Sequence, residues 1–116
     1  MDINEQNRIR EMMAGLKLNL SYQQCLRVHR ALSSRTRVNI LSFLRANGPT
    51  SVTDIVSTVN VAQPTVSRHL SLLRTAGLVD EYRDGRNTFY SFQDKGYQDG
   101  IKYSGEAINL LNTLSG

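Results

Sequence analysis

The sequence predicts a mainly α (α+β) chain, a winged helix-turn-helix of about five to six helices with a two-stranded β-hairpin wing. Three observations predict it. Two helical patterns, one opening at Ser51 and one at Gln63, are separated only by Asn60-Val61-Ala62, a turn brief enough to make a helix-turn-helix. After Gly77 the apolar spacing changes to that of strands, Leu78 to Arg83 and Arg86 to Phe92, with Asp84-Gly85 between them as a tight hairpin signal. The 116 residues are the length of one domain, enough for a modest core and too few for two independent ones.

The elements follow in order. Ile9, Met12, Met13 and Leu16 recur at helical spacing and predict a first helix over 5–19. Ser21-x-x-Gln24 has the form of a capping box and predicts a separate helix running to about Leu32. Ser33-Ser34 can cap the next, which ends before Gly48-Pro49, and Ser51-x-x-Asp54 opens a short helix to about Thr58. In the helix from Gln63, Pro64 loses nothing at the first turn, Gly77 supplies the stop, and Val66, Leu70 and Leu73 share the buried stripe. Tyr82, Phe89, Tyr90 and Phe92 suit the pleated, half-buried surface of the hairpin. Ile101, Ile108, Leu111 and Leu114 predict a last helix over 97–114. Gly96, Gly100 and Gly105 weaken it, each by about 1 kcal/mol relative to alanine, so that it starts late or bends.

The terminal helices 5–19 and 97–114 have no obvious partner in a compact winged core. Burial against a second copy would make them dimerisation elements of a two-fold homodimer, with two reading helices one turn of DNA apart. The competing arrangement folds them back onto their own domain.

Net charge is +4, and its distribution is uneven. Residues 25–75 hold Arg27, Arg30, Arg35, Arg37, Arg45, Arg68 and Arg74 against Asp54 alone, whereas residues 76–116 are net acidic. Basic charge gathered around one helix suits a polyanion, although a solvated arginine-rich surface would look the same by charge alone. The helix itself adds the discriminating chemistry. Gln63, Thr65, Ser67, Arg68 and Ser71 carry short hydrogen-bonding groups or a guanidinium fork of the kind that reaches base edges, and Arg74, Arg83, Arg86 and Arg37 are placed to hold phosphates. Thr65 and Ser67 could instead serve only as turn and cap residues. His69 lies beside the apolar stripe, which predicts a half-buried ring with one nitrogen turned toward backbone phosphate.

Double-stranded DNA carrying a palindromic operator is therefore the expected partner. No apolar run approaches the roughly 20 residues of a membrane span and the first residues lack the pattern of a signal peptide, so a cytoplasmic protein with no membrane partner is expected. The single Cys25 excludes an intrachain disulfide and a cysteine-rich zinc site. No catalytic carboxylate pair, Ser/His/Asp spacing or phosphate loop stands out, which argues against an enzyme and for no cofactor. The alternative from another class is a winged-helix module that binds protein and not DNA.

The order of elements and the motifs Ala31-Leu32-Ser33-Ser34-Arg35-Thr36-Arg37, Ser51-Val52-Thr53-Asp54-Ile55, Gln63-Pro64-Thr65-Val66-Ser67-Arg68-His69-Leu70 and Arg86 to Tyr90-Ser91 resemble the ArsR/SmtB family of winged-helix repressors across residues 22–92. The resemblance implies a dimeric, sequence-specific DNA-binding transcriptional regulator, a repressor released by an inducer that is often a metal ion. It also exposes departures. Arg35 stands where the family often has proline, and Ala62 where it often has a serine cap worth about 1 kcal/mol. The arsenic and cadmium sensors' Cys-x-Cys pair is replaced by Ser51 and Thr53, and the zinc sensors' C-terminal helix here offers Asp94, Asp99 and Glu106 without histidine. No metal site of either kind is expected, and the inducer stays unidentified. Cys25 and His29, four apart on one helix face, could supply four ligands across a dimer. Against that, Cys25 shares a stripe with Tyr22, His29 and Leu32 and suits burial as a small hydrophobe; an exposed, oxidisable thiol is the third possibility.

Overall fold

The computed structural model describes the backbone of residues 2–115 and the side chains of 2–17 and 20–105. Five helices and three short strands follow in the order α1 (Ile3–Ala31), α2 (Arg35–Asn47), β1 (Thr50–Ser51), α3 (Val52–Val59), α4 (Gln63–Thr75), β2 (Val79–Asp84), β3 (Asn87–Phe92) and α5 (Asp94–Ser115). The winged helix-turn-helix and its helical majority match the expectation.

In the first helix and the sheet three details differ, each for a physical reason. The predicted break at Ser21 does not occur, and α1 is one helix of 29 residues, about 43 Å long. Its cap is Asp2, which accepts the Glu5 N–H at 2.7 Å. A serine caps only where the backbone is already non-helical. No proline interrupts residues 3–31, and Gln24 is used elsewhere: its Nε2 donates to the Ala76 carbonyl at 3.1 Å. Second, the wing belongs to a three-stranded antiparallel sheet ordered β1-β3-β2, because Thr50 and Ser51 pair with Tyr90 and Phe89. Two residues after Pro49, the second of them itself the cap of the next helix, are too short a signal to read as a strand. Third, Asp84 pairs with Asn87, so the turn residues are Gly85 and Arg86. Gly85 takes φ +62°, the glycine-first pattern of a type II′ hairpin turn.

The helix-turn-helix itself is built as its sequence dictates. Ser34 and Ser51 cap α2 and α3 by accepting from the Arg37 and Asp54 N–H groups. Asn60 ends α3 in the left-handed region at φ 53°. Ala62 gives α4 no side-chain cap, and Pro64 occupies its first turn. At the other end Gly77, at φ +74°, closes a Schellman motif: its N–H bonds the Arg74 carbonyl, and the Leu78 N–H bonds that of Leu73. Val66, Leu70 and Leu73 are wholly buried with Ile40, Leu44, Ile55 and Leu78. Each such side chain is worth about 1.5–3 kcal/mol, so burial outweighs the missing cap and fixes α4 by its underside.

The last helix begins at Asp94, earlier than expected, and its glycines are contact points as well as weak points. A Cβ on Gly96 would lie 1.9 Å from the Gly77 carbonyl oxygen, and one on Gly100 would lie 2.6 Å from Val28. The helix propensity lost at these positions lets α5 approach α1 and the end of α4 closely. Tyr22 and Tyr103 meet edge to face at 5.9 Å, and Arg45 of α2 stacks over Phe92 and Tyr97. The side chains of Glu106, Ile108, Leu111 and Leu114 lie outside the described residues. At the other end of the chain every residue from Asp2 to Lys17 is exposed, including Ile3, Ile9, Met12, Met13 and Leu16.

Candidate nucleic-acid interface

The buried stripe of α4 determines what its other side presents. With Val66, Leu70 and Leu73 inward, Gln63, Thr65, Ser67, Arg68 and Ser71 are all exposed on the first two and a half turns. A rigid helix with this face outward has the shape and chemistry to enter a major groove. The wing stands beside it. Arg83 on β2 and Arg86 in the turn are exposed, as is the intervening Asp84. Tyr82 and Phe89, directly opposed across the strands, stack at 5.3 Å and stiffen the hairpin.

Three of the sequence-selected residues are engaged within the protein. Arg74 forms an ion pair at 3.0 Å with Glu81 of β2, whose same carboxylate oxygen accepts from the Tyr90 hydroxyl at 3.1 Å. Burial, and then the Glu81 carboxylate, push the Tyr90 phenol above its usual range, which keeps it a donor. The network ties the C-terminal half of α4 to the wing. Arg37 is committed to the other flank: its Nε donates to the Ala31 carbonyl at 2.7 Å, Nη2 to the Arg30 carbonyl at 3.1 Å, and Nη1 lies 3.2 Å from His69 Nδ1. The guanidinium thus closes the end of α1 and clamps it to α4.

His69 is half-buried, as its place beside the stripe predicts, with Nδ1 facing Arg37. An imidazole nitrogen can accept from a guanidinium only when unprotonated. Burial lowers the His69 pKa, and the Arg37 and Arg68 charges lower it further. A folded pKa below the unfolded 6.5 means that the unfolded chain binds more protons in the interval between them, so stability falls as pH drops below about 6.5. His69→Gln, whose amide oxygen can accept the same N–H, is expected to flatten thermal melting midpoints between pH 7 and 5.5 relative to the unsubstituted chain. An unchanged profile would mean that the Arg37 contact is not pH-sensitive.

Cys25 is buried and free, as its stripe position predicts. Its Sγ lies 3.3 Å from Ser104 Oγ, and the same hydroxyl lies 2.7 Å from His29 Nε2. Sequence reading missed this link and the Gln24 bond to Ala76 because both join residues distant along the chain; it missed the Glu81 network because Arg74, Glu81 and Tyr90, though near in sequence, lie on three different elements. The spacing of Gly96 and Gly100, four apart on one helix face, was the available sign of close helix approach. Among the described residues no cluster of three or more histidine, cysteine or acidic side chains could hold a metal, and no helix is long and apolar enough to cross a membrane.

Comparison with known proteins agrees with this architecture. Residues 34–81 match the model of bacterial regulatory proteins of the arsR family. An uncharacterized HTH-type transcriptional regulator of Methanocaldococcus jannaschii is 33% identical over 93 residues, covering 80% of this chain and 97% of the relative. The transcriptional repressor SdpR of Bacillus subtilis is 33% identical over 85 residues, covering 73% and 90%. Among solved structures, an ArsR-like regulator from Rhodococcus shares the fold at 24% identity, with a TM-score of 0.67 over 81% of this chain and 89% of that one. The homodimeric winged helix-turn-helix DNA-binding domain of a possible ArsR-family regulator from Mycobacterium bovis is 26% identical, with a TM-score of 0.61 over 80% and 83%. An exposed polar helix on a buried apolar underside, a wing beside it and relatives matched over nearly their whole length lead to one conclusion: the chain belongs to the ArsR family of winged helix-turn-helix transcriptional regulators, DNA-binding proteins that are not enzymes.

Proposed function

We propose that the protein is a sequence-specific transcriptional repressor acting in the cytoplasm, a homodimer that reads the two halves of a palindromic operator. The observation that carries this reading is the exposed face of α4. Gln63, Thr65, Ser67 and Arg68, with Ser71 behind them, approach base edges, while Arg83 and Arg86 of the wing hold phosphates or the neighbouring minor groove. Arg37, His69 and Arg74 act chiefly as positioning residues, since their hydrogen bonds and ion pair fix α4 between α1 and the wing. The chain forms a single domain whose terminal helices, 5–19 within α1 and 97–114 within α5, join the two copies. The exposed Met12, Met13, Leu16 and Leu20 supply the apolar surface for that contact.

The test is fluorescence anisotropy with a palindromic duplex from the protein's own upstream region, followed across a salt series. Nanomolar, salt-sensitive binding is expected, and absence of binding at low salt would instead favour a protein-interaction module. Within that assay Arg86→Ala should weaken all sequences alike and reduce the salt slope by about one. Gln63→Ala should relax preference at one base position at a cost of about 1–3 kcal/mol. Equal effects of both changes on operator and random DNA would contradict these roles.

The inducer in this reading is not a thiophilic metal. Ser51 is occupied as the cap of α3 and Thr53 is an exposed hydroxyl residue, whereas arsenic and cadmium require thiolates. The Cys25 and His29 pair is joined through Ser104 within one chain. Stoichiometric Zn(II) or As(III) is therefore expected to leave the DNA complex intact in the same anisotropy assay; release by either ion would show that a ligand set forms after all.

A further inference from the structure

On the flank of α4 away from the wing, the end of α1, the start of α2 and the last turn of α4 enclose an open cleft of about 420 Å³. Arg27, Arg30 and Arg37 reach it from one side, and Leu72 and Thr75 come from α4. We propose that this cleft binds a small amphipathic anion, an organic carboxylate or sulfonate with an apolar body, and that its occupation weakens DNA binding.

Charge is the first argument. Three arginines line one cleft where the sequence from 25 to 75 holds a single acid, Asp54, and the only ion pair among the described residues, Arg74 to Glu81, lies toward the wing. At the ends of α1 and α4, whose carbonyls would repel an anion, Arg37 bonds the Arg30 and Ala31 carbonyls and Gln24 that of Ala76. Arg37 is held by three of its five N–H groups, leaving two for a ligand on a side chain that is already ordered. Such preorganisation lowers the entropic cost of binding.

The apolar part is the second argument. Leu72 is 48% exposed on a helix whose outward face is otherwise polar, and it adjoins Ala31 and Ala76 at the cleft. A phosphate backbone has no use for a leucine there, whereas an organic anion gains by covering it. The cleft also touches the part of the molecule that matters for output. Leu72 and Thr75 belong to the reading helix, and Arg37 joins that helix to α1 through His69. An anion held by Arg27, Arg30 and the two spare N–H groups of Arg37 neutralises positive charge beside the DNA, giving the DNA-bound and free states the different ligand affinities that coupling requires. The inducing role rests on the repressor reading above; the binding site does not.

The probe is anilinonaphthalene sulfonate, an amphipathic anion that brightens in apolar surroundings, titrated into the full chain. Saturable binding is expected to weaken roughly tenfold in Arg27→Gln/Arg30→Gln, about the worth of one charge-assisted contact. Leu72→Gln should weaken it as well, and Lys95→Gln, which removes an exposed cation of α5 that does not line the cleft, should leave it unchanged. The probe should release the operator duplex from the unsubstituted chain and not from the double variant. Probe binding that is indifferent to the two arginines would overturn the proposal. So would a double variant that keeps the probe but loses DNA affinity and salt slope, since the arginines would then be phosphate contacts. If no DNA is bound while arginine-dependent probe binding persists, the anion site stands and the repressor reading fails.

Discussion

Gly96→Ala is expected to destabilise the protein by about 1–3 kcal/mol or more and to weaken operator binding with it. The added methyl would sit 1.9 Å from the Gly77 carbonyl oxygen and 2.7 Å from the carbonyl carbon. These are backbone atoms and cannot rotate away as a side chain would. Gly77 is itself held at positive φ by the Schellman motif that ends α4, so relief must come from moving α5 or from loosening the end of the reading helix. Gly105→Ala is the matched control. No atom lies within 4 Å of a Cβ there, and the usual helix preference should stabilise the chain by roughly 0.5–1 kcal/mol. Thermal denaturation of both variants, with duplex affinity measured at a temperature where both are folded, checks the pair. Equal melting midpoints would show that α5 does not press on Gly77.

The second large effect concerns assembly. Met13→Glu/Leu16→Glu is expected to convert a dimer to a monomer in sedimentation and to lower affinity for the full palindrome by about 10²-fold or more, because the second half-site is then no longer bound intramolecularly. Binding to an isolated half-site should change little. Both residues are exposed in the single chain, at 65% and 59%, so the folded protomer should tolerate the charges. At a contact between copies each lost apolar side chain forfeits about 1.5–3 kcal/mol, and a buried unpaired carboxylate costs more again. A variant that remains dimeric would place the interface elsewhere on the molecule.

Helix α4 was legible because each of its signals is local: Pro64 near the start, Gly77 past the end, and Val66, Leu70 and Leu73 at helical spacing. The wing was legible for the same reason, down to a one-residue displacement of its turn. By contrast, the capping-box pattern at Ser21-x-x-Gln24 misled because helix continuity depends on what surrounds Gln24, and Gln24 reaches 52 positions along the chain to Ala76. The same limit applied to Gly96, whose low helix propensity is a local property but whose value lies in a neighbour supplied by α4.

The fold class, the helix-turn-helix, the outward face of α4 and the family were all readable along the chain, since periodicity, capping and turn chemistry act over a few residues. The duties of the charged and polar side chains emerge only once the elements are packed together. Arg37 and Arg74 are indistinguishable from Arg68 in the sequence. In the folded chain the first clamps α1 to His69, the second pairs with Glu81, and Arg68 is exposed on the outward face of α4. A guanidinium bonds whatever acceptor the fold brings within about 3 Å, and which acceptor that is depends on contacts between elements that no local pattern encodes.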